Sequence, residues 1–391
     1  MKILFICENY LPHYGGAEVV FKNLAERYTK HQHTSTILTH QLKNTSKQET
    51  INNVQVHRIP SFFSRYIFTF TSIPKAISLA KQHDIIQTTT FNGAFPAWLA
   101  AKITRKPVAL TVHEVWVNKW PDITGFGKLK SKLHDLLERC IYILPFDHYI
   151  CVSNATKYDL ISHKPKIDQT KITTIYNGMD YEFWNPKTIS EKETTKLKEK
   201  HNLQDKYICL AYGRPGVSKG FEYLIQAFPK IKQEIPNAHL MLLLGSVDKY
   251  QQKYRQLLSL INQHSLQNHS TILTSVPHQE LKNHLKIANC IIVPSTSEGF
   301  GYAAVEANTL DIPTLISNAG SLPEIVSGKY HTFESKNITD LAEKAILISK
   351  NKHWQKPLNR FEWDDSVEKY LKIYNNLTEK DKTHTTISQP L

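Results

Sequence analysis

The chain has 391 residues, 41% hydrophobic and 21% charged, and carries a formal net charge of +13. That length suits two domains of ordinary size, and that composition excludes a disordered or fibrous chain. No stretch approaches the roughly 20 apolar residues of a membrane helix, and Lys and Arg are spread along the chain without zinc-finger spacing or an RNA-binding aromatic motif, so no nucleic acid partner is expected.

The chain opens with an apolar run over residues 2–7, followed by Glu8 and no small-residue cleavage site, which reads as a first core strand and not as a signal peptide. A turn, Tyr10-Leu11-Pro12-His13-Tyr14-Gly15-Gly16, leads into a helical pattern over 17–28, where Val20, Leu24 and Ala25 recur at helical spacing. Strands are expected at 36–40, 54–59, 84–87 and 108–112, with a helix at 94–103, and the series continues at 150–153 and 172–176. Residues 187–206 are rich in Lys, Glu and Thr and read as a linker or surface helix. Then the pattern restarts. A strand at 207–212 and a loop at 213–220 precede a helix at 221–232 with Leu224, Ile225 and Phe228 on one face. Further strands are expected at 240–244, 271–273, 290–293 and 314–317, and an amphipathic helix at 361–377. The alternation predicts an α/β protein of two doubly wound, Rossmann-like domains, 1–186 and 207–360, facing a central cleft. The segment 361–378 is expected to cross back to the first domain, and 379–391 to form a flexible tail.

Four strand-end loops carry the residues of interest. Gly15-Gly16-Ala17-Glu18 is not a dinucleotide fingerprint, and a Gly pair alone reads as a turn. Arg214-Pro215-Gly216-Val217-Ser218-Lys219-Gly220 places two cations ahead of a helix, which suits either a diphosphate or a solvated loop. His113 ends the strand 108–112, and a lone histidine there reads first as structural. The fourth loop, Glu298-Gly299-Phe300-Gly301, follows the apolar run 291–294 and leads into a helix over 302–310 that contains Glu306. Gly299 and Gly301 let the backbone approach a ligand, and the new helix presents its positive end to an anion. If Glu306 lies two turns inside that helix, the two carboxylates stand on the order of 12 Å apart. Five cysteines without CxxC spacing suggest buried, reduced thiols and a cytoplasmic protein. Nineteen histidines without HExxH or other tight ligand spacing give no reason to expect a metal.

Together these segments resemble the glycosyltransferase group 1 family, the retaining enzymes also called family 4, of the GT-B fold. The resemblance covers nearly the whole chain. It is carried most by residues 276–326, with Val293-Pro294-Ser295, the two carboxylates Glu298 and Glu306, and Asn318-Ala319-Gly320-Ser321-Leu322-Pro323-Glu324. The Arg214/Lys219 spacing, Gly15-Gly16-Ala17-Glu18 and Asn177-Gly178-Met179-Asp180 match as well. Asn289, Ser321 and Ser246-Val247-Asp248 depart from the usual pattern, which puts the donor preference in doubt more than the activity.

The resemblance implies an acceptor-side domain at 1–186 and a nucleotide-sugar-binding domain at 207–360. It implies that Arg214 and Lys219 hold the donor diphosphate and stabilise charge on the leaving nucleotide. It places Gly15 and Gly16 against the same phosphates, Glu306 on the ribose, Glu298 with Gly299, Phe300 and Gly301 on the donor sugar, and His113 beside the reacting centre. It implies no metal or cofactor, a glycan, lipid or lipid-linked acceptor, and a place in cell-envelope polysaccharide synthesis. The alternatives are a GT-B nucleotide-sugar epimerase or phosphorylase and a non-catalytic nucleotide-sugar-binding protein. Finally, residues 61–70 pack five aromatics with one Arg, which suits either a core-covering loop or an anionic membrane surface, on the inner face of the cytoplasmic membrane.

Overall fold

The structure, a computed structural model, describes every residue except Tyr14, residues 61–64, Ser275 and residues 388–391. It consists of two compact units. Unit 1 holds Met1–Asn118, Leu129–Gly178 and Phe361–Leu391, and unit 2 holds Lys119–Lys128 and Met179–Arg360.

The strands of unit 1 are β1 (Lys2–Ile6), β2 (Thr34–His40), β3 (Gln48–Ile51), β4 (Val54–Ile59), β5 (Ile85–Thr89), β6 (Val108–Val112), β7 (His148–Cys151) and β8 (Ile172–Thr174). They form one sheet in the order β3-β4-β2-β1-β5-β6-β7-β8. All pairs are parallel except β3 with β4. A parallel sheet is covered on both faces, which is why β5 and β6 are buried at every position. Side chains alternate across the sheet, so Ile3 and Phe5 enter one core cluster while Leu4 and Ile6 enter another.

The helices are α1 (Gly16–Lys30), α2 (Arg65–Thr71), α3 (Ile73–Ala80), α4 (Ala94–Thr104), α5 (Trp120–Thr124, in unit 2), α6 (Lys128–Ile143) and α7 (Asn154–His163). The C-terminal helix, Trp363–Ile387, closes the core of unit 1 with Trp363, Val367, Tyr370 and Tyr374. The Tyr374 hydroxyl donates to Gln87 Oε1 at 2.9 Å inside the sheet. Trp363 sits so close to Gly178 that a Cβ there would lie 2.3 Å from its ring.

In unit 2 the strands are β9 (Tyr207–Gly213), β10 (Ala238–Leu244), β11 (Ser270–Thr274), β12 (Cys290–Val293), β13 (Thr314–Ser317), β14 (Gly328–Phe333) and β15 (Trp354–Lys356), in the order β11-β10-β9-β12-β13-β14-β15. Only β15 is antiparallel to its neighbour. Helices α8 (Glu191–Lys200), α9 (Phe221–Glu234), α10 (Gln251–Gln263), α11 (His278–Lys286), α12 (Tyr302–Thr309), α13 (Leu322–Ile325), α14 (Ile338–Ser349) and finally α15, the Trp363–Ile387 helix already described, complete the chain.

Several expectations change. The first unit ends at Gly178 and not at residue 186, and residues 119–128 leave it for unit 2. Of the two readings of residues 187–206, linker or surface helix, the structure shows the surface helix. These residues carry α8, which is tied to α11 by Asn283 Nδ2 donating to Glu193 Oε2 at 2.8 Å, and Lys282 Nζ bonds Thr188 Oγ1 at 2.9 Å. The expected tail from 379 is helical through Ile387. Cys140 is exposed, although the other four cysteines are buried and all five are free thiols. The strands β3 and β15 escape sequence reading because edge strands such as QETI and WQK are mostly exposed and lack an apolar run.

Candidate functional site

The residues of interest in unit 2 lie where β9 and β12 end. After β9 the chain passes Arg214 and turns through a single 3-10 turn, Val217–Lys219, into α9. The turn lies against the end of β12, with Thr296 N donating to Ser218 O at 2.7 Å. Gly220 makes this approach possible. Its φ is +63°, and a Cβ there would stand 2.0 Å from the carbonyl oxygen of Pro294.

Lys219 is thereby aimed at the loop after β12. Its Nζ donates to Glu298 Oε1 at 2.5 Å, and the Ser295 hydroxyl donates to the same oxygen at 2.7 Å. The backbone of Glu298 is fixed from the other side by Ser321, whose N–H donates to Glu298 O at 3.1 Å. Gly320, at φ +54°, lets this strand-end loop pass, since a Cβ would lie 2.3 Å from the same carbonyl oxygen. The side chains of Lys219 and Glu298 are 29% and 11% exposed, so the pair is held inside the site and not on a solvated rim. Arg214, by contrast, is exposed, and among the described residues its side chain has no hydrogen-bond or ion-pair partner. The cluster thus offers one fixed and one free cation to an anion.

Glu306 lies one turn inside α12, which starts at Tyr302, and not two turns inside it. Its Oε2 accepts from the Tyr212 hydroxyl at the end of β9. Burial pushes the Glu306 carboxyl up to about 7, although the Tyr212 hydrogen bond and the Lys219 charge pull the other way. Burial, and next to it the Glu306 carboxylate, raise the Tyr212 phenol well above its ordinary value, so it stays a donor. Gly299, Phe300 and Gly301 lead into α12, with Gly301 at φ +90° as its N-cap and Phe300 buried.

In unit 1, Gly15 is the extended N-cap of α1 and Gly16 its first residue. A Cβ at Gly16 would meet nothing within 4 Å, so that backbone is open. His13 Nδ1 lies 3.3 Å from Glu18 Oε1. Burial pushes Glu18 up, but its bond to His13, its own backbone N–H and the charges of His13 and His113 outweigh that and lower it. His113 follows β6. Burial depresses its imidazole to about 4 against the opposing pull of Glu18, so it is neutral near pH 7. Its buried Nε2 has no hydrogen-bond partner. A buried, unsatisfied ring nitrogen is costly unless something is meant to meet it.

The structure therefore joins Lys219 to Glu298, sets Glu306 within the field of Lys219, and brings His113 near Glu18. Sequence reading missed Ser295 and Tyr212 as participants. Each stood in plain view: Ser295 lies three residues before Glu298 and bonds it within one loop, and Tyr212 lies two before Arg214 but meets Glu306 only through the sheet order that sets β9 beside β12. Among the described residues, no group of three or more His, Cys, Asp or Glu side chains is placed to hold a metal. No helix there is long and apolar enough to cross a membrane.

Comparison with known proteins adds to this. The family description "Glycosyl transferases group 1" matches residues 193–362, and "Glycosyltransferase Family 4" matches residues 14–183. The chain is 24% identical over 402 residues to the GPI3 subunit of phosphatidylinositol N-acetylglucosaminyltransferase from Saccharomyces cerevisiae, covering 96% of this chain and 83% of that one. It is 28% identical over 340 residues to an uncharacterized glycosyltransferase from Methanocaldococcus jannaschii, covering 83% of each. Among solved structures it resembles a glycosyltransferase from Rickettsia africae, with a TM-score of 0.72, 20% identity and coverage of 96% and 98%. It also resembles HepE from Anabaena in complex with UDP and glucose, with a TM-score of 0.71, 18% identity and coverage of 96% and 100%. These likenesses and the two parallel-rich sheets give the chain the GT-B fold class.

Proposed function

The chain belongs to glycosyltransferase family 4, the glycosyl transferases group 1, and from that premise we propose a donor, an acceptor and a chemical route for this transferase. The donor is a nucleoside-diphosphate hexose. The acceptor is a lipid or lipid-linked glycan of the kind used in cell-envelope synthesis. Transfer proceeds with retention of anomeric configuration, and the protein works as a peripheral protein on the inner face of the cytoplasmic membrane. The observation that carries this reading is the Lys219–Glu298–Ser295 cluster at the ends of β9 and β12, with Arg214 exposed beside it. It joins a cationic charge for a diphosphate to a carboxylate for sugar hydroxyls within one hydrogen-bonded group. Ligands of open parallel sheets bind at such strand ends.

In this reading Lys219 and Arg214 face the diphosphate and offset the charge that grows on the leaving nucleotide, a task that a metal ion performs in other enzymes. Glu298, with the backbone of Gly299 and Gly301, holds hydroxyls of the donor sugar. Glu306, presented by Tyr212, accepts from the ribose hydroxyls, and the open backbone at Gly16, next to Gly15, admits a phosphate. The bond from the anomeric carbon to the diphosphate oxygen breaks, and that oxygen keeps the electron pair. The acceptor oxygen bonds to the same face of the carbon, and its proton passes to the departing phosphate. His113 is neutral and its Nε2 unpartnered, which suits a hydrogen bond to a sugar hydroxyl better than acid catalysis.

Similarity to the yeast and Arabidopsis phosphatidylinositol N-acetylglucosaminyltransferases supports a lipid acceptor. The likeness to HepE in complex with UDP-glucose supports a nucleotide-sugar donor. The expected aromatic segment supports the membrane side in part. Residues 61–64 lie outside the described residues, Phe68 is buried in the core, and Tyr66, Ile67 and Phe70 are exposed. Thermal-shift screening against UDP-glucose, UDP-N-acetylglucosamine, GDP-mannose and ADP-glucose tests the donor. One of them should raise the melting temperature, and product analysis should then show a retained anomer. A protein stabilised by none of the nucleotide sugars would refute the proposal.

A further inference from the structure

Helix α6 is built inside out. Its 16 residues, KLKSKLHDLLERCIYI, bury Ser131, His134, Glu138 and Tyr142, a mostly polar face. Its apolar residues point the other way. Leu129 is 85% exposed and Ile143 75%, and Leu133, Leu136, Leu137 and Cys140 are exposed between them. At 3.6 residues per turn these six positions fall on one arc of about 120°, running roughly 20 Å along the helix. A soluble helix normally shows the opposite pattern, and an apolar stripe of this length facing out marks a contact surface.

The charges around the stripe indicate what it contacts. On the same helical wheel Lys128 and Lys132 flank one edge of the arc and Lys130 the other, and all three are exposed. The acidic residues of the helix are withdrawn from this face. Glu138 is buried and accepts from Trp116 N at 2.9 Å, and Asp135 accepts from Arg139 Nε at 2.7 Å. Helix α2 lies alongside, with the Tyr66 hydroxyl 2.8 Å from His134 Nε2, and it adds exposed Tyr66, Ile67 and Phe70. Apolar residues flanked on both sides by lysines suit a bilayer interface. The leucines enter the acyl boundary while the lysine stems reach up to anionic headgroups.

We propose that α6 is the element that docks this protein on an anionic phospholipid surface, lying flat with the Leu129-to-Ile143 stripe in the interface. The proposal rests on the reading of the protein as a transferase that meets a lipid-borne acceptor, and it assigns the membrane contact chiefly to α6, with the exposed residues of α2 at its side. The experiment is co-sedimentation of the full chain with vesicles of phosphatidylcholine alone and with phosphatidylglycerol added. The wild type should bind the anionic vesicles, and each of two variants should bind them about ten-fold or more weakly. These are Leu129→Ser/Leu133→Ser/Leu136→Ser and Lys128→Glu/Lys130→Glu/Lys132→Glu. All six positions are exposed, so melting temperatures should hold, and the lysine variant decides the matter if the leucine variant is poorly folded.

Wild-type protein that ignores anionic vesicles, or variants that bind like the wild type, would overturn the proposal. So would a wild-type dimer that the leucine variant dissociates, since the stripe would then meet a second copy. Nucleotide-sugar stabilisation measured on the same proteins separates the two readings. If it persists while vesicle binding fails, only the docking surface falls, and if it is absent throughout, the transferase reading falls instead.

Discussion

Replacing Glu306 with Gln removes one ionisable group while keeping its shape and its ability to accept from the Tyr212 hydroxyl. In the wild type, burial raises the carboxyl from 4.5 to about 7, so the folded protein binds that proton more tightly than the unfolded chain does. The contribution to stability is therefore fully present below about pH 4.5 and is lost as the pH rises through about 7. A shift of about 2.5 units, from 4.5 to about 7, at about 1.36 kcal/mol each, makes this about 3 kcal/mol. Urea denaturation of both proteins between about pH 4 and pH 8 measures it. Titrations that the two proteins share, including that of His113, cancel in the difference. The wild type should lose about 3 kcal/mol relative to Glu306→Gln over that range, and parallel profiles would refute the account of Glu306 as a buried carboxyl.

The other predictions concern the strand-end cluster and the histidine. The double variant Arg214→Ala/Lys219→Ala should lower turnover by at least about 10²-fold, the scale of losing an electrostatic stabiliser, as read by release of nucleoside diphosphate. Unchanged turnover would remove both residues from the diphosphate. Glu298→Ala should mainly slow turnover and Glu306→Ala mainly raise the donor Kd, which titration calorimetry and steady-state kinetics separate. Gly320→Ala pushes a Cβ toward the Glu298 carbonyl oxygen, 2.3 Å away, at a positive φ, and should lower stability by about 2 kcal/mol or more in thermal melts. His113, depressed to about 4, is neutral in the folded protein, so its contribution is present above pH 6.5 and is lost as the pH falls through about 4. The wild-type rate profile should accordingly lack an inflection near pH 6.5 that His113→Gln abolishes.

What was legible in the sequence followed the strength of local patterning. Strands buried on both faces announce themselves as short apolar runs, so 108–112, 290–293 and 314–317 were bounded to the residue, and 54–59 was bounded by its alternation of buried and more exposed positions. The glycines Gly299 and Gly301, the cations of the 214–220 loop and the paired carboxylates Glu298 and Glu306 are also local signals, and they marked the strand-end loops of unit 2. Exposed edge strands and α6 were illegible for a shared reason. Periodicity reports burial, and these elements either bury little or bury the polar side. Boundaries between the two units failed too, because which unit owns residues 119–128 or α8 depends on packing partners far away in the chain.

By itself, then, the sequence determined the alternation of strands and helices, and with it two parallel sheets and the loops that carry Arg214, Lys219, Glu298 and Glu306. These are short-range properties, written in spacing of two and of 3.6 residues. Tertiary structure alone decided that Lys219 and Ser295 share one oxygen of Glu298, that Tyr212 presents Glu306, and that His113 is buried and neutral. Those facts arise where β9 meets β12 and where β6 ends inside unit 1. Hydrogen bonds and desolvation act across space between residues 79 and 94 positions apart, and no local pattern encodes them.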